Sequence, residues 1–441
     1  MKKYTIVMLG GTGDLAVEKL SPSINNIAEK KGIEILLVGI GRRIFSDNEY
    51  KAMLENSKFR FSKKVNVKYY QAGFDNKNSL KDLHVFLDKE EKGKSDGRIF
   101  YLATSHVFFK NILEQLSKCC FHKEGKINRI VIEKPFGEDL KSYNSLNRLI
   151  RKHFSEEQIY RVDHYLAKET IENILVLRMS NPFLERTWNS DFIEKINITV
   201  DEKKGIGRRI EYYDKTGAIR DMVQNHLLQI LSFILMKPPK TTIPGDVHAE
   251  KAKAIKKVYF TGKAFLGQYE GYAEEARKTG NPNSRTETFA ELTLKSNDKN
   301  WKGTTINLRT GKKLKKKEAK IEIIYKKEPC LLYCNIDTNP NKLVLNIQPE
   351  QDVELCINTK TPGSEFEITH ESLAFSPTKK FDSDAPQNYE LLLWECIKGN
   401  KTLFISDIEL KEAWKTVDDI RHKIKNNKII TYKEGSEGPS A

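Results

Sequence analysis

Six side chains with chemical capacity lie within the nine residues of RVDHYLAKE, Arg161 to Glu169. The stretch supplies an arginine, an aspartate, a histidine, a tyrosine, a lysine and a glutamate. One interpretation is structural, a charged turn that leads into a surface helix. The other is functional, because a histidine next to a carboxylate can move a proton, and cationic and hydroxyl groups can bind an anion. The stretch alone leaves both interpretations open.

A second candidate site is the glycine-rich segment GGTGDLAVEKL, which follows the apolar run YTIVML. Gly11, Gly13 and Ala16 fit the pattern G-x-G-x-x-A after a first strand and before a helix. Glycines allow the backbone to approach a pyrophosphate at a helix N-terminus, where unpaired N–H groups face the anion. This context favours a dinucleotide site over a plain tight turn. The expected cofactor contacts are Gly10, Gly11, Thr12, Gly13, Asp14 and Leu15.

The segment GIGRR, residues 39–43, ends the second predicted strand and bears on the choice of dinucleotide. An NAD site has a carboxylate there, which pairs with the ribose 2′-hydroxyl. This chain has no acid in the segment and has Arg42 and Arg43 instead, which suit a 2′-phosphate. The pattern favours NADP. The alternative is two solvated surface arginines.

Composition limits the possible classes of protein. The 441 residues suffice for two or three domains, and 75 basic against 60 acidic residues give a formal net charge of +15. This charge suits nucleic acid, an anionic membrane or phosphorylated small molecules, or it follows from a lysine-rich composition without functional meaning. The six cysteines form no CxxC pair, so we expect reduced thiols in the cytoplasm and no metal site. No apolar stretch reaches the ~18 residues of a membrane helix, so we expect a soluble protein without a membrane partner.

Strands and helices alternate in the first part of the chain. Apolar runs at 33–40, 97–104 and 129–137 follow the run before the glycines, with helical segments between them. This alternation predicts an N-terminal α/β domain of residues 1–175 with a Rossmann-like, doubly wound parallel sheet.

The pattern changes after about residue 190. Strand-like segments of mixed character predominate, and helices are expected near 218–236, 246–260 and 409–426. Residues 176–441 are therefore predicted to form an α+β domain with a large, mainly antiparallel sheet.

The two candidate segments belong to a longer series of motifs that runs through nearly the whole chain. The others are EKPFG, IRDMVQNHLLQ, LGQYEGY, LRTGKKL, LNIQP and GNKTLFISDIELKEAW. In this order they resemble the glucose-6-phosphate dehydrogenase family. The resemblance implies oxidation of D-glucose 6-phosphate to 6-phospho-D-glucono-1,5-lactone with reduction of NADP, the first step of the oxidative pentose phosphate pathway. It also implies a homodimer or homotetramer.

The resemblance implies roles for individual residues. His226 matches the general base, and Asp163 matches the carboxylate that orients it. His164, Tyr165 and Lys168 match the residues that bind the sugar phosphate. Further matching substrate contacts are Lys134, Glu202, Asp221, Lys312, Lys317 and Gln348. The family match also adds two cofactor contacts, Tyr101 and Lys134, to the glycine segment and the two arginines.

Three other interpretations remain at this point. The lysine run 312–320 could bind RNA, but it contains no aromatic residue for base stacking, so no nucleic-acid partner is expected. A catalytically inactive sensor of NADPH or sugar phosphate would not need the pair of His226 and Asp163. A dehydrogenase for another hexose phosphate stays possible. The positions that depart from the usual family pattern are Ser105, His106, Ala167, Arg186 and Gly207.

Overall fold

The computed structural model describes residues 2–55, 59–120, 127–327, 338–363, 367–376 and 388–439. They fall into two compact units. The first unit is Met1–Ala167 with Pro386–Asp407, and the second is Lys168–Ala385 with Ile408–Ala441. The sequence suggested one boundary at 175 and two continuous domains, whereas a late segment of the chain belongs to the first unit.

The late segment joins the first unit through its apolar side chains. Its helix, Asn388–Lys398, buries Leu392, Leu393 and Cys396 in the same core as the first strands of the chain. Lys30 of an early helix also pairs with Glu390, with the Nζ and Oε1 atoms 2.9 Å apart. The apolar side chains of this helix therefore complete the core that the first strands and helices of the chain begin.

The strands are numbered here in chain order. They are β1 (Lys3–Leu9), β2 (Glu34–Gly41), β3 (Val65–Gln71), β4 (Gly97–Leu102), β5 (Ile127–Ile132), β6 (Ile159–Val162), β7 (Ile193–Asp201), β8 (Val258–Tyr269), β9 (Phe289–Ser296), β10 (Thr305–Gly311), β11 (Glu318–Tyr325), β12 (Lys342–Gln348), β13 (Asp352–Lys360), β14 (Ile368–Phe375), β15 (Phe404–Ile405) and β16 (Ile429–Tyr432).

The first unit contains a seven-stranded sheet in the order β15-β6-β5-β4-β1-β2-β3. The strands β1 to β6 pair in parallel, and β15 adds one antiparallel edge strand. The order 3-2-1-4-5-6 is that of a doubly wound dinucleotide-binding fold, so the predicted fold class is confirmed for this unit. Strand β4 is buried at every position, as expected where helices cover both faces of a parallel sheet.

Helices flank this sheet along the chain. Those of the first unit are a π-helical turn Ala16–Leu20 that continues into Ser21–Lys31, then Asp47–Leu54, Leu83–Glu91, His106–Phe108, Phe109–Cys119, Leu140–His153, Glu156–Gln158 and Asn388–Lys398.

The second unit contains a nine-stranded sheet in the order β14-β13-β12-β11-β7-β10-β9-β8-β16. Only the pairs of β10 with β7 and of β16 with β8 are parallel among the described strands, so the predicted mainly antiparallel sheet is confirmed. Burial alternates along β12, because one face of the sheet packs on the core while the other is more open.

The helices of the second unit lie mostly before and between these strands. They are Glu169–Ser180, Pro182–Arg186, Gly207–Arg209, Ile210–Ala218, the π-helix Ile219–Leu227, Leu228–Leu235, Pro244–Lys256, Tyr272–Arg277, Lys299–Trp301 and Asp407–Ile424, which begins at the last residue of the first unit. The helix expected at 246–260 ends at Lys256, since residues from Val258 onward form β8. Within the described ranges, no helix is both long and apolar enough to cross a membrane.

Candidate active site

The glycine-rich turn joins β1 to the first helix of the chain. The backbone N–H groups of Gly10 and Gly11 both donate to the carbonyl oxygen of Ile40 at 3.0 Å, which fixes the turn to the end of β2. Gly10 has φ +97°, and a Cβ there would lie 2.5 Å from the carbonyl oxygen of Ala103. A Cβ at Gly11 would lie 2.5 Å from the hydroxyl of Tyr50. The fold itself therefore requires glycine at both positions.

Gly13 differs from these two glycines. A Cβ at Gly13 would meet no protein atom closer than 3.4 Å, which is ordinary van der Waals contact. The fold has room for a Cβ there, so contact with protein atoms does not require the glycine, and it leaves space for a group that approaches the backbone from outside. A pyrophosphate at the start of the helix that follows is such a group. Thr12 and Leu15 beside it are partly buried and Asp14 is exposed.

Arg42 and Arg43 follow directly after β2 and both are exposed. Their backbone is held in place, because the carbonyl oxygen of Arg43 accepts a hydrogen bond of 2.7 Å from the hydroxyl of Tyr69. The side chains thus project from a fixed segment at the carboxyl end of a parallel strand, next to the glycine turn. Ligands bind at this edge in doubly wound sheets.

Lys134 follows β5 at the same edge of the sheet, and it is partly buried beside Glu133. The hydroxyl of Tyr101 donates to Oε1 of Glu133 at 2.5 Å. Burial raises the pKa of Glu133 to about 6, although this hydrogen bond and the charge of Lys134 act in the opposite direction. Tyr101 is only 1% exposed, so its ring is fixed by packing, and its hydrogen bond holds the carboxylate of Glu133 in place. That Tyr101 contacts a cofactor stays a prediction.

The stretch RVDHYLAKE is divided by the structure. Arg161 is buried and forms a bidentate pair with Glu156, with Nη1–Oε1 and Nη2–Oε2 distances of 2.6 and 3.1 Å, so its role is structural. Asp163 is buried, and its Oδ1 accepts a bond of 2.9 Å from the backbone N–H of Tyr165. The rings of His164 and Tyr165 lie 4.9 Å apart. The structural interpretation thus applies to the start of the stretch, while Asp163, His164 and Tyr165 form a local group at the carboxyl end of β6.

Lys168 opens the second unit as the residue before the helix Glu169–Ser180. Its Nζ donates to Oε1 of Gln348 at 3.1 Å. Burial and, to a smaller extent, the positive charge of Lys317 together lower the pKa of Lys168 to about 8. Lys317 itself is exposed. The structure thus brings three of the predicted substrate contacts together: two amines that repel each other and an amide. An incoming dianion would relieve that repulsion.

The π-helix Ile219–Leu227 carries two of the predicted residues, Asp221 and His226, which are 6% and 1% exposed. The helix starts after Gly217, whose φ of +69° bends the chain. Its first N–H, that of Ile219, donates to Oε1 of Glu287 at 3.0 Å.

Lys312 lies after β10 and is 3% exposed. Its Nζ forms an ion pair with Glu202 and lies 3.6 Å from Oδ2 of Asp221. The amine also lies 5.6 Å from the ring centroid of Tyr213. The cluster of Lys312, Glu202 and Asp221 offers one cationic donor between two carboxylate acceptors, which suits a ligand rich in hydroxyl groups.

Comparison with known proteins identifies the family. Residues 7–173 match the model of the glucose-6-phosphate dehydrogenase NAD binding domain, and residues 175–441 match that of the glucose-6-phosphate dehydrogenase C-terminal domain. The chain belongs to the glucose-6-phosphate dehydrogenase family. Accordingly, it is an oxidoreductase that acts on the CH–OH group of glucose 6-phosphate.

Similar full-length proteins and a solved structure agree with this assignment. The chain is 35% identical to glucose-6-phosphate 1-dehydrogenase of Borreliella burgdorferi, over 100% of this chain and 96% of that protein. It is also 35% identical to the Bacillus subtilis enzyme, over 99% and 95%. A solved glucose-6-phosphate dehydrogenase in complex with its substrate glucose-6-phosphate superposes with a TM-score of 0.91 at 27% identity, and the match covers 100% of this chain and 96% of that one.

The sequence pointed to most of these residues but missed Glu133 and Glu287. Glu133 had a usable signal, since it is a carboxylate directly after a buried parallel strand, where ligand sites collect. Glu287 had none, because it precedes an ordinary strand, and only the tertiary fold brings it to the start of the π-helix.

Proposed function

We propose that this member of the family prefers NADP to NAD, that His226 is the general base, and that Lys168 provides much of the affinity for the sugar phosphate. The observation that carries the proposal is the cluster around Lys168, in which a buried amine of lowered pKa faces a second cation. Repulsion between two amines disfavours the folded state. A site for a phosphate dianion explains why the protein keeps both amines, because the bound dianion would offset their repulsion.

The preference for NADP rests on Arg42 and Arg43. Both are exposed on a fixed segment at the end of β2, where a carboxylate would select the ribose 2′-hydroxyl. The space over Gly13 fits the pyrophosphate, with Gly10, Gly11, Thr12, Asp14 and Leu15 completing the turn. The bound nicotinamide supplies the hydride acceptor. Tyr101 and Lys134 are the further proposed cofactor residues.

The reaction removes a hydride and a proton from the C1–OH group. His226 takes the hydroxyl proton, for which a neutral imidazole is suited near pH 7. Asp163 has the role of orienting this imidazole and stabilising its charged form. The resemblance to the family supports both assignments, and the burial of both side chains fits a base kept away from bulk water.

The sugar phosphate is bound by groups of matching charge. Lys168, with His164 and Tyr165, binds the phosphate, and Lys317 and Gln348 close on it. Glu202, Asp221, Lys312 and Lys134 receive the sugar hydroxyls. The resemblance to the family supports these assignments, and the donor and acceptor types of the side chains suit them.

We further propose a cytoplasmic homodimer or homotetramer. The plant relative named glucose-6-phosphate 1-dehydrogenase 6, cytoplasmic, is 33% identical to this chain and supports that compartment. The exposed side chains of Leu373 and Phe375 on β14 support association through the second unit, since large apolar residues grouped at a sheet edge favour burial.

The test is the reduction of NADP and NAD, followed by absorbance, across a panel of sugar phosphates. Glucose 6-phosphate with NADP should give the highest kcat/KM, and free glucose should react slowly. A higher kcat/KM with NAD would contradict the cofactor proposal. A higher value with another hexose phosphate would show that the departures at Ser105, His106, Ala167, Arg186 and Gly207 have changed the substrate range.

A further inference from the structure

The loop that carries Lys312 is short and spans residues 312–317, between β10 and β11. Lys312 is 3% exposed, and its Nζ pairs with the carboxylates of Glu202 and Asp221. Its ammonium lies at the end of a long, flexible side chain, so the position of this group depends on where the backbone of the loop is held. The contacts of the loop backbone therefore decide whether this cluster of one amine and two carboxylates is assembled.

A chain of hydrogen bonds joins the loop to Tyr432, the last residue of β16. The backbone N–H of Tyr269 donates to Oγ1 of Thr288 at 3.0 Å, and the hydroxyls of Thr288 and Tyr432 lie 3.0 Å apart. The hydroxyl of Tyr432 donates to the carbonyl oxygen of Lys312 at 2.7 Å. Burial raises the pKa of Tyr432, so this hydroxyl keeps its proton and stays a donor. Tyr432 thus fixes the backbone of Lys312 directly.

The next residue of the loop, Lys313, has a backbone conformation that needs support. Its φ of +50° lies in the left-handed region, which is unfavourable for a residue with a side chain. The carbonyl oxygen of Lys313 accepts the N–H of Gly435 at 2.8 Å. Its Nζ lies 3.2 Å from Oε2 of Glu434 and 4.5 Å from the ring centroid of Tyr269. Residues that follow β16 therefore help to hold the loop in a conformation that lysine seldom adopts.

The same segment, residues 433–438, reaches the loop and its surroundings at two further points. The N–H of Lys315 donates to the carbonyl oxygen of Ser436 at 2.9 Å. Nη2 of Arg309 donates to the carbonyl oxygen of Glu437 at 2.6 Å and to Oδ2 of Asp201 at 2.9 Å. Asp201 ends β7, directly before one of the two carboxylates of the cluster. The segment thus borders both the loop and the strand end that form this cluster.

We propose that Tyr432 and the segment 433–438 position Lys312, and through it the cluster that receives the sugar hydroxyls. Tyr432 is then a positioning residue, which acts through Lys312 and not on the sugar itself. This inference rests on the proposed role of Lys312 in binding the sugar. A misplaced ammonium weakens binding in the ground state and in the transition state alike, so KM for glucose 6-phosphate changes more than kcat. The glycine turn belongs to the other unit, so NADP binding stays unchanged.

The first test is the variant Tyr432→Phe, which removes the hydroxyl and keeps the ring. The control is Tyr272→Phe, because Tyr272 is buried in the same hydrophobic cluster and its hydroxyl donates to Asp214 at 2.8 Å, away from the loop. We expect KM for glucose 6-phosphate to rise about three- to tenfold in Tyr432→Phe, as for the loss of one hydrogen bond. Both kcat and KM for NADP should stay within about twofold of the wild type, and the control should leave all three unchanged.

The second test repeats Tyr432→Phe in the background Lys312→Ala. If Tyr432 acts through Lys312, the second substitution should add nothing to the rise in KM that Lys312→Ala causes alone. An equal further rise in this background would show that Tyr432 acts independently of Lys312 and would overturn the proposal. An unchanged KM for glucose 6-phosphate in Tyr432→Phe, or an equal rise in KM for NADP, would overturn it as well.

Amide hydrogen exchange tests the attachment of the loop separately from the proposed function. Peptides that cover residues 311–316 should exchange faster in Tyr432→Phe than in the wild type or in Tyr272→Phe. Equal exchange in the three proteins would refute the attachment. Faster exchange in Tyr432→Phe, together with an unchanged KM in Lys312→Ala, would support the attachment and refute the proposed contact of Lys312 with the sugar.

If Tyr432→Phe fails to fold, seen by circular dichroism, Gly435→Ala replaces it in each test. Gly435 is exposed with φ +76°, and a Cβ there would meet no atom within 4 Å, so the substitution disfavours the turn without disturbing the core. The matched control is Gly280→Ala, at an exposed glycine with φ +92° and equally open space. The same rise in KM for glucose 6-phosphate is expected in Gly435→Ala and not in Gly280→Ala, and equal KM values in the two variants would overturn the proposal.

Discussion

At the scale of single residues, the proposed phosphate site depends on the balance of charge around Lys168. Replacing Lys168 with Ala would remove the proposed charge-assisted bond to the phosphate and would leave Lys317 and Gln348 in place. We expect KM for glucose 6-phosphate to rise about 10- to 100-fold, as for the loss of a hydrogen bond to a charged group. The slow oxidation of free glucose should barely change. Steady-state kinetics with both substrates measures the difference.

The pH dependence of KM provides a control for this prediction. The lowered pKa of Lys168, about 8, means that the amine is charged below that pH and becomes neutral above it. Its contribution to phosphate binding is therefore present below about pH 8 and is lost as the pH rises further, so KM should increase there. This increase should disappear in Lys168→Ala and persist in Lys316→Ala, a change at an exposed neighbouring lysine. If both sugar substrates suffer alike from Lys168→Ala, the residue is structural.

Cofactor preference is a second prediction at this scale. Replacing Arg42 and Arg43 together with Ala should weaken NADP binding by about 2–4 kcal/mol, because the 2′-phosphate loses its charge-assisted bonds to two guanidinium groups. The affinity for NAD should stay nearly unchanged. Fluorescence or calorimetric titration with each cofactor measures the two affinities. The control is Lys77→Ala with Lys81→Ala, which removes two positive charges from the same unit and should leave both affinities unchanged. An equal loss for both cofactors would show that the arginines have another function.

At the scale of elements, the glycine turn separates a requirement of the fold from a requirement of the ligand. Gly13→Ala adds a Cβ that would meet no protein atom closer than 3.4 Å, so the melting temperature should fall little, while KM for NADP should rise by about tenfold or more because the methyl group would occupy the proposed pyrophosphate position. Gly10→Ala is the comparison, and it should destabilise the fold, because its φ of +97° and the nearby Ala103 oxygen exclude a side chain. Normal NADP affinity in Gly13→Ala would contradict the assignment of the turn.

The sequence predicted those elements whose residues form a simple pattern. Continuous apolar runs predicted β1, β2 and β4 to within two residues, because strands buried on both faces contain little else. The run at 129–137 found β5 but placed its end five residues too late, since the strand ends at Ile132. Strand β3 was missed, since its alternation of buried and exposed positions is mixed with polar residues. The helix expected to 260 was too long, because Ile255 and Val258 continue an apolar spacing across the junction with β8.

At the scale of the whole molecule, the sequence could not predict which unit residues 386–407 join. Their helix is amphipathic in the same way as many helices of the second unit, and only its long-range packing on the first core decides the matter. The proposed site residues come from short motifs and stay predictions. Their motifs are local and specific, whereas Glu287 and the pairing of Lys312 with Asp221 depend on contacts between segments far apart in the chain.

Association is the prediction that belongs to the whole molecule. Light scattering coupled to size exclusion should give at least a dimer at micromolar concentration. Leu373→Glu with Phe375→Glu should shift the protein toward the monomer, because it places charge on the exposed apolar side of β14. Phe265→Glu, at a comparably exposed apolar position on β8, is the control and should leave the assembly intact. A monodisperse wild-type monomer would contradict the prediction.

The most direct test of the account is the turnover of His226→Asn with glucose 6-phosphate and saturating NADP. A positioned base contributes about 10²–10⁴ to the rate, so kcat should fall by that factor with little change in substrate affinity. Asp163→Asn should cost less, since it removes the orienting carboxylate and leaves the base. The acid limb of the pH–rate profile should be absent in His226→Asn. Turnover of His226→Asn close to that of the wild type would refute the proposed mechanism.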